Sequence, residues 1–258
     1  MFQAGSLFLQ TSTSTPAFNG RTYANFELNN AAANITVTGG SAVSIDNLTI
    51  TAGTLNFNMT ATPGHSIKGN ISVAGTLNFA PASAGTVNLN GGSAQTISGA
   101  GTITINSANQ TIVINNPNGI NLSRDLTLDL GTLTLTSGNV TTGANTLIIG
   151  SGETVNRTSG HVIGNLRKTY AAAATKLFEV GTANGFSPVT VSLTAGTFPA
   201  NFTVSAVQGA QPNILNPGHA LQRYWQLTGA GVTATLIFNY LDPPDVPVSA
   251  NENNFVIF

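Results

Sequence analysis

The chain of 258 residues contains no cysteine and few charged side chains. The absence of cysteine excludes disulfides, thiolate metal sites and thiol nucleophiles. There are 8 lysines and arginines and 9 aspartates and glutamates, so 7% of the residues are charged. About 25% is usual for a globular domain. A nucleic-acid partner is not expected, because neutralising phosphates requires a concentrated basic surface.

Targeting and membrane-spanning segments are also missing from this sequence. Its start, Met1 to Gly5, has neither the basic region nor the long apolar stretch of a signal peptide. No stretch approaches the roughly 18 consecutive apolar residues of a membrane span, so we expect no such span. If the protein is secreted, we expect the sequence to be a processed chain or a segment of a longer one.

Small polar residues are abundant, with 36 Thr, 30 Asn, 28 Gly and 19 Ser. The surface must therefore be hydrated mainly through hydroxyl and amide side chains, because charged side chains are few. Apolar residues alternate with them at period two, for example over 102–105, 111–114 and 126–130. This alternation, bounded by Gly, Asn or Asp, predicts strands, and helical periodicity is nearly absent. The fold class is predicted to be all-β.

A short phrase, a glycine and a threonine followed by an alternating strand, recurs in the first part of the chain. Its five copies begin at Gly53, Gly75, Gly85, Gly101 and Gly131. The first interval of 22 residues suits one coil of a β-solenoid, but the later intervals of 10, 16 and 30 indicate a degenerate period. Inward aliphatic and outward Thr or Asn side chains predict a parallel β-solenoid, which we expect to be a right-handed β-helix. At about 20 to 22 residues per coil it would have about six coils.

The distribution of aromatic residues indicates a domain boundary. No Phe, Tyr or Trp occurs over 81–169, whereas 11 of the 18 aromatic residues lie from Tyr170 onward. Two packed sheets accommodate rings, while a narrow solenoid bore favours aliphatic side chains. We predict an N-terminal cap or assembly strand over 1–30 and a solenoid over 31–165. A β-sandwich-like module, unfinished at its C-terminus, is predicted over 166–258.

Five segments of the second part carry a resemblance to a known family. They are Phe178-Glu179-Val180-Gly181-Thr182, Phe186-Ser187-Pro188-Val189-Thr190-Val191, Leu221-Gln222-Arg223-Tyr224-Trp225-Gln226-Leu227-Thr228-Gly229, Phe238-Asn239-Tyr240-Leu241-Asp242 and Asn254-Phe255-Val256-Ile257-Phe258. Together they resemble a β-sandwich module of large, repeat-rich secreted bacterial surface proteins. The Gly-Thr-Leu coils upstream are similar to the solenoid portions of such adhesin-like proteins. The resemblance implies an extracellular or cell-surface structural role in a bacterium and transfers no catalytic residue.

A pair of carboxylates would be the clearest sign of catalysis, because pectin lyases and related hydrolases are the enzymes most often found on β-helices. Asp125 and Asp129 share the outer face of one predicted strand, about 13 Å apart. A retaining glycosidase needs about 5 to 5.5 Å between its carboxyl groups and an inverting one about 6.5 to 9.5 Å. We interpret the two aspartates as solvated charges, although an acid on an adjacent coil could complete a site.

No other residue pattern predicts chemistry. His65, His161 and His219 are far apart and lack the spacing of metal ligands. The sequence has neither a Gly-x-Ser-x-Gly elbow nor the repeated Gly-Gly-x-Gly-x-Asp of calcium-binding coils. We therefore predict no catalytic residue, no metal site and no cofactor. Separated cations such as Lys168 and Arg223 are expected to solvate the surface.

Two repeated or aromatic features suggest weaker binding hypotheses. Trp225, the single tryptophan, and its neighbour Tyr224 are weak candidates for a ligand-binding face, but their segment is more simply a core strand. Thr-x-Thr pairs such as Thr132 and Thr134 suggest ice binding, against which the irregular coil length argues. Ordinary β propensity explains the same threonines.

The open ends of a solenoid expose unpaired backbone groups that can pair with another chain. The sequence ends in an apolar strand without a following turn. Its residues are the candidate inter-subunit strand: Phe255, Val256, Ile257 and Phe258. A strand supplied to the neighbouring subunit, with residues 1–30 pairing at the other end, would give head-to-tail assembly.

The leading interpretation is a non-enzymatic extracellular structural protein, either a surface stalk or a self-assembling fibre subunit. Its main partners would be copies of itself. The alternative is a carbohydrate- or surface-binding adhesin module, for which glycans or a cell surface would be the partner. A polysaccharide-active enzyme is the least favoured of the three classes.

Overall fold

The computed structural model describes residues 3–61, 63–252 and 255 of the chain. Strands account for 62% of the residues and helix for 2%, which confirms the predicted all-β class. The chain divides into two compact units, Met1–Gly160 and His161–Phe258. The division falls at Gly160, against the predicted solenoid end at residue 165.

The first unit is a parallel β-solenoid built from twelve described strands. They are β1 Leu7–Gln10, β2 Thr22–Gly39, β3 Ser44–Met59, β4 His65–Ile67, β5 Ile71–Val73, β6 Thr76–Phe79, β7 Gly85–Leu89, β8 Gln95–Ser98, β9 Thr102–Asn115, β10 Ile120–Leu122, β11 Leu126–Ser137 and β12 Val140–Arg157. The long strands bend around corners and contribute to more than one face of the coil; β3, for example, pairs in turn with β4, β5 and β6.

Each coil of the solenoid has three faces, which are defined by columns of stacked inward-facing residues. The first face contains Tyr23, Ile45, Ile67, Leu89, Ile114 and Leu135. The second contains Phe8, Phe26, Leu48, Ile71, Ile97 and Leu122. The third contains Ile35, Leu55, Leu77 and Ile103. Stacking identical apolar positions buries a continuous core.

The coil length varies along the solenoid, and one turn can contain two copies of the phrase, in agreement with the predicted degenerate period. Successive residues of the third-face column are 20, 22 and 26 positions apart. Successive residues of the first-face column are 22, 22, 22, 25 and 21 positions apart. The glycine-threonine phrase lies on the third face at Thr54, Thr76 and Thr102 and on the first face at Thr86 and Thr132. Intervals of 10 and 16 residues are therefore steps between faces of the same coil.

The number of coils was underestimated, since the solenoid has about eight turns rather than about six. The stack includes residues that were predicted to form a separate cap, because β1 pairs in parallel with β2 and continues the second face. Among the described residues, β1 is the outermost strand of that face.

The repeated glycine of the phrase has a steric cause. Gly53, Gly75 and Gly101 occupy equivalent corners of successive coils. A Cβ atom on Gly75 would collide with the carbonyl oxygen of Gly53, and one on Gly101 with that of Gly75. Real Cβ atoms essentially never approach a backbone oxygen so closely. Only glycine therefore lets adjacent corners stack at the strand spacing of about 4.8 Å.

Aromatic rings fill the N-terminal end of the bore, which the sequence had suggested would be aliphatic. Phe18 packs on Tyr23, Phe26 and Phe57, with ring centroids 4.9 to 6.0 Å apart. All four side chains are at least 98% buried. Further along, aliphatic side chains and Phe79 line an apolar cavity of about 30 Å³. A cavity with such a lining is expected to stay free of water.

The second unit is a β-sandwich-like module of eight described strands and one short 3₁₀ turn. The elements are β13 Val162–Tyr170, β14 Ala174–Phe178, β15 Val180–Thr182, β16 Gly185–Phe186, β17 Val189–Gly196, β18 Ala200–Gln208, the turn Pro217–His219, β19 Arg223–Gly229 and β20 Val232–Phe238. One sheet pairs β13 with β18 and β18 with β19, all antiparallel, while β15 pairs with β13 and β16.

A second sheet of three antiparallel strands, β14, β17 and β20, covers the first sheet. Tyr170 donates a hydrogen bond from its hydroxyl to the carbonyl oxygen of Val191 across the two layers, at 3.0 Å. The rings of Phe178 and Phe202 meet between the layers with centroids 6.1 Å apart. These contacts agree with the predicted sandwich-like packing, in which inward side chains of both sheets interdigitate.

No helix in the described part of the chain is long and apolar enough to cross a membrane.

Candidate functional site

Two edge strands, β1 and β20, combine a single sheet neighbour with exposed apolar side chains. Within the described residues, β1 pairs only with β2, and β20 only with β17. Leu7 and Leu9 of β1 are 55% and 47% exposed, and Ile237 of β20 is 59% exposed. Neither strand contains a proline or a charged residue. Natural proteins usually protect edge strands with such residues, so in the part of the chain that the structure describes β1 and β20 are unprotected edges.

The predicted inter-subunit strand lies almost wholly outside the described residues. Phe255 is half-buried, and its backbone N–H donates to the carbonyl oxygen of Glu252 at 3.0 Å. Val256, Ile257 and Phe258 are not described. Their role in assembly stays a prediction.

Tyr224 and Trp225, the weak ligand-face candidates, are half-buried on β19. The indole N–H of Trp225 donates to the backbone carbonyl oxygen of Ser187 at 3.1 Å. Its ring lies at 41° to that of Phe238, with centroids 4.9 Å apart. The indole therefore has a packing and hydrogen-bonding role within the sandwich, as expected for a core strand.

Asparagine ladders cover the outside of the solenoid. On the second face, Asn47 donates from Nδ2 to Oδ1 of Asn25 at 2.9 Å, and its own Oδ1 accepts the backbone N–H of Asn70 at 2.8 Å. A parallel ladder on the third face links Asn56 to Asn34 and Asn78 to Asn56, each at 2.8 Å. The amide side chains form hydrogen bonds along the stack, so this surface is polar without charged residues.

The outer threonine columns are mixed with asparagine. Thr54, Thr76 and Thr102 stack in one column of the third face, but the adjacent column contains Asn56, Asn78 and Thr104. The Thr-x-Thr pairs of the sequence therefore do not stack into a two-column hydroxyl array. This arrangement does not favour the ice-binding hypothesis.

The histidines occupy three separate structural positions. His65 is fully buried, its Nδ1 lies 3.2 Å from the Val43 amide nitrogen, and burial lowers its pKa. His161 places Nε2 2.9 Å from the carbonyl oxygen of Thr182, while His219 lies in an exposed turn. The described residues contain no group of three or more His, Cys, Asp or Glu side chains that could hold a metal ion.

Asp125 and Asp129 belong to different local structures. Asp125 is exposed and accepts a hydrogen bond from the Thr146 backbone N–H at 2.8 Å, which fixes a corner of the next coil. Asp129 is exposed in β11 at a bulge, where the register to β12 shifts between Leu128 and Leu130. The structure therefore does not pair the two aspartates.

The adjacent coil contains one acid in this region, Glu153, which is the Cα partner of Gly131. Glu153 of β12 is 9% exposed, and neither of its carboxylate oxygens has a hydrogen-bond partner. Burial and, secondarily, the negative charge of Asp129 raise the pKa of Glu153 from 4.5 to about 7. The sequence analysis did not single out Glu153. It lies two residues before Val155, so the two side chains are on the same side of the strand, and Leu133, the Cα partner of Val155, is buried.

A raised carboxyl pKa beside an ionised acid is also a property of glycosidases. A general acid must contact the glycosidic oxygen, however, and Glu153 is nine-tenths buried. The cavity described in the solenoid is lined by apolar side chains and does not include Glu153. The burial of Glu153 is therefore not suited to protonating a sugar substrate.

Glu153 makes a testable contribution to pH dependence. The folded protein binds the Glu153 proton more tightly than the unfolded chain, so this group stabilises the fold below pH 4.5. That contribution is lost as the pH rises from 4.5 through about 7, and amounts to about 2 to 4 kcal/mol. Urea unfolding in EDTA, followed by circular dichroism at pH 5 and pH 8, should show this fall for the native protein but not for Glu153→Gln. An equal fall in both proteins would rule out Glu153 as its source.

The second unit contains a buried charged network that the sequence analysis assigned to the surface. Arg223 is 1% exposed, and its guanidinium donates from Nε and Nη2 to the two carboxylate oxygens of Asp245, at 2.5 and 3.1 Å. It also donates to the hydroxyls of Ser187 and Thr182 at 2.6 and 3.1 Å. Arg223 lies two residues before Trp225 on β19, so both side chains are on the same side of the strand. This alternation could have indicated that Arg223 faces the core.

Lys168 was also predicted at the surface and is buried. Its ammonium lies 2.6 Å from Oε2 of Glu179, and both side chains are 6% exposed. Burial lowers the pKa of Lys168, although the charge of Glu179 opposes this shift. The ammonium also lies 5.7 Å from the centroid of the Phe178 ring. The carboxylate of Glu179 and the ring of Phe178 together stabilise the buried charge of Lys168 in the sandwich.

Comparisons of the chain with protein-family models, with curated proteins and with solved structures found no match.

Proposed function

We propose that the protein is a non-enzymatic extracellular structural protein of a bacterial cell surface, a stalk or fibre subunit whose copies join by strand pairing. The observation that carries this proposal is the pair of unprotected edges, β1 in the solenoid and β20 in the sandwich. Among the described residues, each strand has a sheet neighbour on one side alone, and Leu7 and Leu9 of β1 and Ile237 of β20 are exposed.

The position of the two edges favours open assembly. They belong to different units of the chain, so pairing β1 of one copy with β20 of the next is a heterologous contact. Such a contact leaves a free β1 at one end of the series and a free β20 at the other. Unless the rotation between copies closes a ring, the series grows into a fibre by strand addition.

The surface of the solenoid suits an exposed structural role. Its asparagine ladders and threonine columns solvate long sheets without charge, and each coil rests on the previous one. The bacterial, extracellular location rests on the resemblance to adhesin-like surface proteins. Stacked coils that contact only their neighbours can extend a stalk by repetition.

Sedimentation velocity over a concentration series tests the assembly. The native protein should form species much larger than its 26.3 kDa chain, in amounts that increase with concentration. Leu9→Lys and Ile237→Lys should each reduce these species at least tenfold, because a charge on either edge opposes strand addition.

Thr102→Lys is the matched control, since it adds the same charge to an exposed residue within the stack. It should assemble as the native protein does. A native protein that stays at the mass of one chain at every concentration would overturn the proposal, as would equal inhibition by all three lysine variants.

A further inference from the structure

The third face of the solenoid contains a break in its hydrogen-bond ladder. Residues 102–105 of β9 pair with β6, and residues 126–128 of β11 pair with β12. These two segments follow the second face in successive coils, but among the described residues they do not pair with each other. The ladder between the two coils continues up to the backbone N–H of Ser123, which donates to the coil before, and resumes where Leu130 pairs with Asn106. The break is therefore confined to one face of the coil.

The corner that precedes the break lacks glycine. In the earlier coils, Gly75 and Gly101 each stack closely on the corner glycine of the coil before. In the next coil the chain reaches the third face through Ser123-Arg124-Asp125. Arg124 donates from Nη1 to the carbonyl oxygen of Gly99 in the coil before, at 2.9 Å. A corner that carries side chains cannot repeat the close stacking of glycines, which accounts for the loss of the ladder beyond it.

The apolar cavity of the bore adjoins this break. Its lining includes Ile103 and Ile105 from one side of the break and Leu126 and Leu128 from the other. Ile103 is half-buried, whereas Leu77, its neighbour in the same inward column, is fully buried. The exposure of an inward-facing side chain at the break indicates that the cavity can be reached from the surface there.

The volume and the lining of the cavity determine what it can hold. Its volume of about 30 Å³ exceeds the roughly 10 to 15 Å³ that one water molecule needs. Water would find no hydrogen-bonding side chain there, because the residues that line the cavity are all apolar. An apolar cavity of about 150 Å³ binds benzene or xenon, so this smaller cavity is too small for an aromatic ring. It suits a compact apolar molecule.

We propose that the solenoid bore binds one small apolar molecule, of the size of a xenon atom or a short alkane, which enters between β9 and β11. Dispersion contacts with the aliphatic lining would stabilise the complex, because the atoms around a void lack partners on one side. Separating the two segments at the break disrupts no strand pairing between them in the described part of the chain. The site is independent of the proposed assembly, because neither β1 nor β20 contributes to its lining.

Methyl NMR spectra of the full chain, labelled at isoleucine and recorded under increasing xenon pressure, test the site. We expect saturable shifts of the Ile103 and Ile105 methyl signals that are at least about fivefold larger than those of Ile45 and Ile50. The latter two side chains are fully buried in the same solenoid but do not line the cavity. Nitrogen gas at equal pressure is the control for pressure alone and should not reproduce the difference.

Three variants separate occupation of the cavity from general effects on the core. Val87→Ile adds a methylene group to the lining and should weaken the xenon response at least about fivefold. Val37→Ile, the matched control, adds the same group to a buried residue outside the lining and should respond as the native protein does. Leu77→Ala enlarges the cavity, so benzene should raise the melting temperature of this variant but not of the native protein.

Two results would refute the proposal. The first is a native protein in which xenon shifts Ile103 and Ile105 no more than Ile45 and Ile50. The second is an equal xenon response in Val87→Ile and Val37→Ile, which would place the xenon outside the cavity. If Val87→Ile fails to fold, the benzene response of Leu77→Ala decides, and its absence would refute the proposal as well.

Discussion

Replacement of Asp245 by alanine is expected to lower the free energy of unfolding of the second unit by about 3 to 5 kcal/mol. The change leaves the Arg223 guanidinium buried without its counter-charge and removes two of its hydrogen bonds. Burial by itself would raise the pKa of Asp245, but hydrogen bonds from Arg223, the Leu241 backbone and Gln208 lower it overall. The carboxylate is therefore charged in the folded protein at neutral pH.

The single tryptophan makes this loss measurable. Trp225 lies in the second unit, so its fluorescence during urea unfolding reports on the sandwich. Asp242→Ala is the matched control, because Asp242 is an exposed acid of the same segment. If Asp245→Ala and Asp242→Ala lowered the free energy of unfolding by amounts within about 1 kcal/mol of each other, the Arg223–Asp245 pair would not be a main source of the stability of this unit.

Replacement of Phe57 by alanine is expected to cost the solenoid about 3 to 5 kcal/mol. Phe57 is fully buried, and its ring lies between those of Phe18, His65 and Phe79, with centroids 5.3 to 6.0 Å apart. Removing it opens a cavity in a stack whose backbone spacing is set by the strand ladder. The coils are therefore expected to relax little around the vacated volume.

Urea unfolding followed by far-ultraviolet circular dichroism measures this loss, with Phe57→Leu as the second variant. Leucine keeps part of the buried volume, so its cost should be clearly smaller than that of alanine. A cost below about 1 kcal/mol for Phe57→Ala would contradict the role of the ring cluster in closing the bore.

The fold was largely predictable because its main signal is local. Period-two alternation and the recurring glycine depend on the neighbouring residues alone, and they led to the all-β solenoid and the sandwich-like module. The assignment of each phrase to its coil was hidden because the same phrase lies on two faces of one coil. The ring cluster around Phe18 was missed because three separate segments of the chain bring its members together.

The charged groups were harder to place, because burial of a charge depends on partners that are distant in sequence. Arg223 and Asp245 are 22 positions apart, and Thr182 and Ser187 approach from another part of the module. Glu153 lies opposite Gly131 only because one coil stacks on the next with a bulge. Composition and spacing give no register between coils, so neither neighbourhood could be derived from the sequence.

Electron microscopy of the native protein, at low salt and without denaturant, tests the central claim most directly. The claim is that unprotected edges of the solenoid and the sandwich join copies of the chain into a structural assembly. We expect long filaments of uniform width, which should disappear in the Leu9→Lys and Ile237→Lys variants and persist in Thr102→Lys. Isolated particles of single chains under conditions in which the protein is folded would contradict the claim.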